Sequence, residues 1–144
     1  MTATRLYSAQ VLALATRLSA YPLLQGVGIL SGAARATTCG STLSLTLRLS
    51  DAGVIAEVGL QAHACAIGQA AAALFADHAA GRSEAELQAA TAQITGWLEE
   101  AAALPDWPGF SVIAPARDFP ARHGAIMLPW KAAATALSSR AVDG

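Results

Sequence analysis

Between Thr42 and Ser50 the chain alternates without a break. Leu43, Leu45, Leu47 and Leu49 are separated by Thr42, Ser44, Thr46, Arg48 and Ser50. Period two is the pattern of a strand with one buried and one wet face. Ser50-Asp51-Ala52-Gly53 then reads as a short hairpin loop, with Gly53 supplying the positive φ such loops need. Val54 to Ala64 reads as the return strand. Val54, Ala56, Val58, Leu60 and Ala62 form its apolar face, and Glu57, Gln61 and His63 lie on the other. The chain has two cysteines, and they stand at the two ends of this hairpin, Cys39 before it and Cys65 after it. A hairpin folds its ends back on each other, so the stretch from Thr37 to Gln69 should bring the two thiols close in space.

The rest of the chain has to cover the leucine face. Leu6, Val11, Leu12, Leu14, Ala15 and Leu18 fit one face of a helix over Leu6–Leu18, closed by Pro22 and Gly26. Val27 to Ala34 fits an edge strand. Ala66 to Ala79 reads as a helix with Ile67, Ala71, Leu74 and His78 on one stripe and Gly81 as its stop. Ser83-Glu-Ala-Glu86 is a capping box that opens a helix from Glu84 to about Ala103, with Leu87, Ala90, Ile94, Trp97 and Leu98 facing inward. Leu104 to Gly109 is a loop, and Phe110 to Ala116 is apolar without an assignable period. Pro120 to Ser138 reads as a closing helix in which Pro129 either makes a kink or starts the regular part. The residues after Arg140 read as a frayed tail. The expected class is α+β: a small three-stranded antiparallel sheet with helices packed on one face.

With 144 residues the expectation is one domain. Hydrophobic residues at 54% against charged residues at 13% exclude a disordered chain. A net charge of −1 argues against a nucleic-acid partner held through phosphates. The apolar stretch from Val11 to Leu18 is too short for a signal peptide and is interrupted by Arg17. No apolar run reaches the roughly 18 residues a membrane span needs. A cytoplasmic chain is therefore expected, and its two cysteines point to thiol chemistry or metal before a disulfide.

Cys65 sits where strand gives way to helix, where unpaired backbone N–H groups and the helix dipole stabilise a thiolate. Cys39 precedes Gly40, which lets the backbone approach a ligand, and Ser41 follows two residues later. His63 stands two before Cys65, and the two side chains share a side if the strand extends that far. His123 lies just inside the closing helix. The plainer readings are buried small cysteines, a disulfide between them, and a solvated His63. His78 suits a helix C-terminus and is assigned no chemistry. No Ser-His-Asp order, Gly-rich phosphate loop or CxxC pair occurs, and no catalytic residue is assigned.

These residues resemble a family. Cys39-Gly40 heads a strand, Asp51-Ala-Gly53 makes the hairpin, Cys65-Ala66-Ile67 opens an alanine-rich helix, and Gly81-Arg82-Ser83 precedes a capped helix. With the closing segment Pro120-Ala-Arg122-His123-Gly124-Ala-Ile-Met-Leu128-Pro129-Trp130-Lys131 and the opening Leu6-Tyr7, the order is similar to that of the IscU/NifU-type iron–sulfur cluster assembly scaffolds. The resemblance covers nearly the whole chain, in order, and implies a single domain over residues 1–144. Two family donors are replaced: the aspartate of the Cys-Gly-Asp motif by Ser41, and the cysteine of the closing segment by Gly124. His123 coincides with a histidine that some members use at the site. The Leu-Pro-Pro-Val-Lys motif of the IscU branch is absent, Asp118-Phe-Pro-Ala-Arg122 standing in its place. The segment between Cys65 and the closing helix is more like the SufU branch, whose members hold zinc and accept sulfur from a cysteine desulfurase.

The resemblance implies a SufE/NifU-like fold and a scaffold or carrier, not an enzyme. It implies iron or an iron–sulfur cluster, with zinc as the alternative, bound through Cys39, Cys65 and His123. His63 would be the fourth donor in a Cys₂His₂ set. The implied partners are a cysteine desulfurase and other cluster-assembly proteins. The alternatives are a fold-mate that binds that machinery without metal, or a zinc-bound sulfur acceptor with Cys65 as its nucleophile. Oligomeric state stays open.

Overall fold

The computed structural model describes residues 8–37, 39–100 and 102–142. Leu6 and Tyr7, where the first helix was expected to start, and the last two residues of the tail lie outside these. Helix α1 (Ala9–Arg17) opens at Ser8, whose hydroxyl accepts a bond from the Val11 amide at 3.1 Å. It tightens into a 3₁₀ turn over Leu18–Ala20. Strands β1 (Leu30–Arg35), β2 (Thr42–Leu49) and β3 (Ile55–His63) form an antiparallel meander in the order β1-β2-β3. Helix α2 (Ala66–Ala79) follows directly. Helix α3 (Glu84–Glu100) is shorter at its C-terminal end than the sequence pattern suggests. The Ser83–Glu86 capping box that starts α3 is present, with bonds of 2.9 and 3.2 Å.

The hairpin forms at Ser50–Gly53, closed by Gly53 N–H to the Ser50 carbonyl at 2.9 Å with Gly53 at φ 84°. The register pairs Leu43 with Ala62, Leu45 with Leu60 and Leu47 with Val58, so these side chains share the buried face. At the hairpin end the expectation fails. Arg48 pairs with Glu57 but Leu49 pairs with Ile55, a bulge that turns Ile55 inward to 2% exposure and leaves Ala56 exposed. The cause is tertiary: Ile55 donates to the Arg82 carbonyl and accepts from Gly81, so the α2–α3 connection fixes it.

The opposite face of the sheet is not wholly wet either. Thr46 is 8% exposed because the segment Tyr21–Leu24 crosses it. The Leu24 amide donates to Thr46 Oγ1 at 2.9 Å, and the Leu60 amide to the Tyr21 carbonyl at 2.8 Å. Asp77 on α2 anchors the start of this segment. It accepts from Tyr21 Oη and, through both oxygens, from Arg17. Burial pushes the Asp77 carboxyl up, but the bonds from Arg17 and Tyr21 outweigh it and hold the group below its ordinary value.

Helix α4 (His123–Val142) covers β1 and β2, α2 packs beside it and against β3, α1 lies on α2, and α3 lies on α4. At Gly32 a Cβ would collide with the Ala132 and Ala136 backbone of α4, so only glycine permits this approach. Pro129 sits inside α4, not at the start of its regular part; a 3₁₀ turn, Pro120–Arg122, leads into the helix. The unassigned Phe110 stretch is a 3₁₀ helix over Phe110–Asp118. Phe75, Trp97, Trp107, Phe110 and Trp130 form an aromatic cluster in the core, with Phe75 stacked on Trp107 at 5.6 Å and edge-on to Trp130 at 5.5 Å. Among the described residues no helix is long and apolar enough to cross a membrane.

Candidate metal centre

Three chain segments meet at the end of the sheet opposite the hairpin loop. The first is the β1–β2 connection. Its ends are pinned by Ala36 N–H to the Ser41 carbonyl and Gly40 N–H to the Ala36 carbonyl, each 2.8 Å. Gly40 adopts φ 73°, a conformation that side-chain-bearing residues avoid, and the chain can therefore turn back here. The turn sets Cys39 Sγ 3.1 Å from Ser41 Oγ. Ser41 is 5% exposed, and Cys39 is half-buried against the core.

The second segment is the β3–α2 junction. Strand β3 ends at His63, whose register partner is Thr42, and Ala64 then bends the chain. Cys65 is the N-cap of α2 in an extended conformation, φ −65° and ψ 172°, and packs half-buried against the core. Gln69 fixes the junction, its side chain donating to the Ala64 carbonyl and its amide to that of Cys65, both at 2.9 Å. The strand does not reach Cys65, so the condition for His63 and Cys65 to share a side is not met. His63 is exposed, next in line to the inward-facing Ala62 and so on the outer face of the sheet.

The third segment is the first turn of α4. It lies against the first turn of α2, where a Cβ added at Gly68 would sit 3.2 Å from Ala125 Cβ. His123 and Gly124 immediately precede that contact. His123 Nε2 lies 2.6 Å from the Arg117 carbonyl oxygen. A carbonyl only accepts, so Nε2 carries the proton, and in the neutral ring Nδ1 keeps the lone pair. A metal-binding histidine usually gives its other N–H to such an acceptor.

The two cysteines are thiols at the same end of the fold. Among the described residues, no group of three or more His, Cys, Asp or Glu side chains is placed to hold a metal ion. Among the described residues, the converged donors therefore fall short of the four that tetrahedral iron or zinc takes. Sequence reasoning missed two contacts. The Cys-Gly-Ser spacing was the available signal for Ser41 as the neighbour of Cys39. The sequence held no signal for the Arg117 carbonyl as the partner of His123.

A three-stranded antiparallel meander with helices packed against it is a fold that solved structures share. Over 96% of both chains it matches a nitrogen-fixing NifU-like protein (N-terminal) from Brucella abortus, with a TM-score of 0.87 and 26% identity. It also matches a putative iron–sulfur cluster assembly scaffold protein for the SUF system from Fervidobacterium islandicum. There the TM-score is 0.78 at 19% identity, over 94% of this chain and 99% of that one. The chain has the NifU-like α+β fold that its sequence resembles. No protein-family model matches the sequence, and no curated protein matches it significantly.

Proposed function

We propose that this chain is a cytoplasmic iron–sulfur cluster assembly protein of scaffold or carrier type, not an enzyme. It carries iron or a cluster as cargo on Cys39 and Cys65, with His123 contributing through Nδ1. The observation that carries the reading is the thiol pair at one end of a fold shared with a NifU-like protein and a putative cluster scaffold. Thiolates are the donors that iron–sulfur clusters take. With these three donors, the remaining coordination comes from elsewhere, and the cargo leaves without four bonds to this set having to break. A cysteine desulfurase is the sulfur source the reading requires. His63, exposed on the outer face, is not part of the proposed set. Among the described residues no three-donor group converges, which favours a second reading, in which the chain binds the assembly machinery without metal.

Metal and acid-labile sulfide analysis on protein purified without oxygen, with its visible spectrum, tests this. Iron and sulfide in near-equal amounts are expected, and Cys39→Ser or Cys65→Ser should each abolish retention. Zinc alone points to a sulfur acceptor, with persulfide expected on Cys65 after mixing with a desulfurase. Nothing bound after anaerobic reconstitution, or metal that survives loss of both cysteines, overturns the carrier reading.

A further inference from the structure

We propose that the outer edge of β1 is a docking site for an extended acidic segment of a partner protein, which adds to the sheet as a further strand. The inference goes beyond the carrier reading and needs no cargo. The sheet has two edges, and they are finished differently. At β3 the edge is closed, the Leu60 amide bonding to the Tyr21 carbonyl and Ile55 to Arg82 and Gly81. Strand β1 has β2 as its neighbour in the sheet, and among the described residues no other backbone segment bonds to its outer side. Ser31, Ala33 and Arg35 are exposed along it. Backbone N–H and C=O groups on such an edge are a template for another strand.

Charge decides what kind of segment fits. A groove of about 440 Å³ lies along this edge, lined by Ser31 and Ala33 of the outer face, by Gly32 and by Thr135 of α4, and no acidic residue lines it. Arg35 lies further along β1 on the same face as Ser31 and Ala33. Lys131 lies one helical turn before Thr135 on the same exposed stripe of α4, its carbonyl accepting from Thr135 Oγ1 at 3.2 Å. Strand β1 runs toward the cysteine end and α4 runs away from it. Both cations therefore stand toward the cysteine end of the groove, Arg35 on the outer face and Lys131 on the α4 side. Arg17, Arg48 and Arg140 are paired with Asp77, Glu57 and Glu84, whereas among the described residues no carboxylate pairs with Arg35 or Lys131. Side chains of an incoming strand alternate between its faces, so neighbouring carboxylates meet Arg35 on one face and Lys131 on the other. The segment leaving β1 at Arg35 leads to Cys39, so a partner docked here stands beside the proposed cargo site.

The probe is the capped peptide Glu-Glu-Val-Thr-Val-Thr, which laid antiparallel to β1 puts its carboxylates at the cysteine end. Its control is Lys-Lys-Val-Thr-Val-Thr. Calorimetric titration into the apo chain is read together with amide hydrogen exchange. The acidic peptide should bind saturably, more weakly as salt rises, and should slow exchange within residues 30–35. Arg35→Glu combined with Lys131→Glu should weaken it about ten-fold or more, since two attractions become repulsions. Both side chains are exposed, and an unchanged thermal midpoint checks that the variant is folded. Absence of saturable binding overturns the inference, as does equal binding of the lysine peptide or of the double variant, or protection that falls outside β1. A dimer of the chain alone that already protects these amides also overturns it and assigns the edge to a second copy. Peptide binding needs no iron, so the docking site and the carrier reading can each fail while the other stands.

Discussion

The two ends of this fold are built from different material. Around Phe75 the interior is aromatic, with Trp107 and Trp130 contacting the same ring and Phe110 continuing the cluster. Trp107 Nε1 is satisfied by the Leu74 carbonyl at 2.8 Å. Around Cys39 and Cys65 the chain is made of Gly40, Ser41, Ala64, Ala66, Gly68 and Gly124, with little side chain to pack. Large interlocking rings contribute stability through buried area and contact. Small residues contribute little of either, but they let three backbone segments meet. The packed interior and the proposed cargo site thereby lie in separate regions, and it should be possible to damage one and spare the other.

The largest break in that separation is expected at the aromatic end. Phe75→Ala should cost about 3–5 kcal/mol in denaturant unfolding, by lost transfer and a residual cavity. Iron bound per folded molecule should stay unchanged. A fall in stoichiometry among the folded molecules would show that the two regions are not independent.

A smaller effect is expected at the Asp77 tie between α1, the Tyr21 segment and α2. Asp77→Asn should cost about 1–2 kcal/mol. Asp77 has a depressed pKa in the folded chain. Its contribution is therefore fully present above the unfolded carboxylate value near about 4, and is lost as pH falls through the lower folded value. Unfolding curves of wild type and Asp77→Asn should converge in acid. Curves that stay parallel below pH about 4 would remove Asp77 from the account.

The smallest effects sharpen the site end. His123→Ala should weaken iron retention several-fold without shifting the thermal midpoint by more than a few degrees. His63→Ala should change neither. Iron affinity by competition with a chelator distinguishes the two, and a weakened His63 variant would return the Cys₂His₂ set to consideration.

The strand pair was legible because Leu43 to Leu49 alternate, and a period of two has no competing explanation. What escaped is what tertiary contacts impose. Nothing near Val54 announces that Arg82 will capture Ile55 and shift the strand by one residue. Nothing in the Thr46 neighbourhood announces that Leu24 will cover it. The Phe110 helix carries Pro115 and no 3.6 period, and its first residue is held in the aromatic cluster. At the site, the identities of Cys39, Cys65 and His123 stood out as residue types. The bend at Ala64 that parts His63 from Cys65, and the carbonyl that claims His123 Nε2, depend on backbone geometry that no local pattern encodes.

The contact between Gly68 and Ala125 has a consequence for how such a chain can change. The first turns of α2 and α4 are joined by the residue after Gly124, not by Gly124 itself. The position that carries the family's third cysteine in the resemblance is thus next to the weld and not in it. Donors at this end resemble fittings on a frame, and Gly124→Cys with Ser41→Asp is a two-step mutational walk to a fuller ligand set. Neither position is part of the Gly68–Ala125 contact itself.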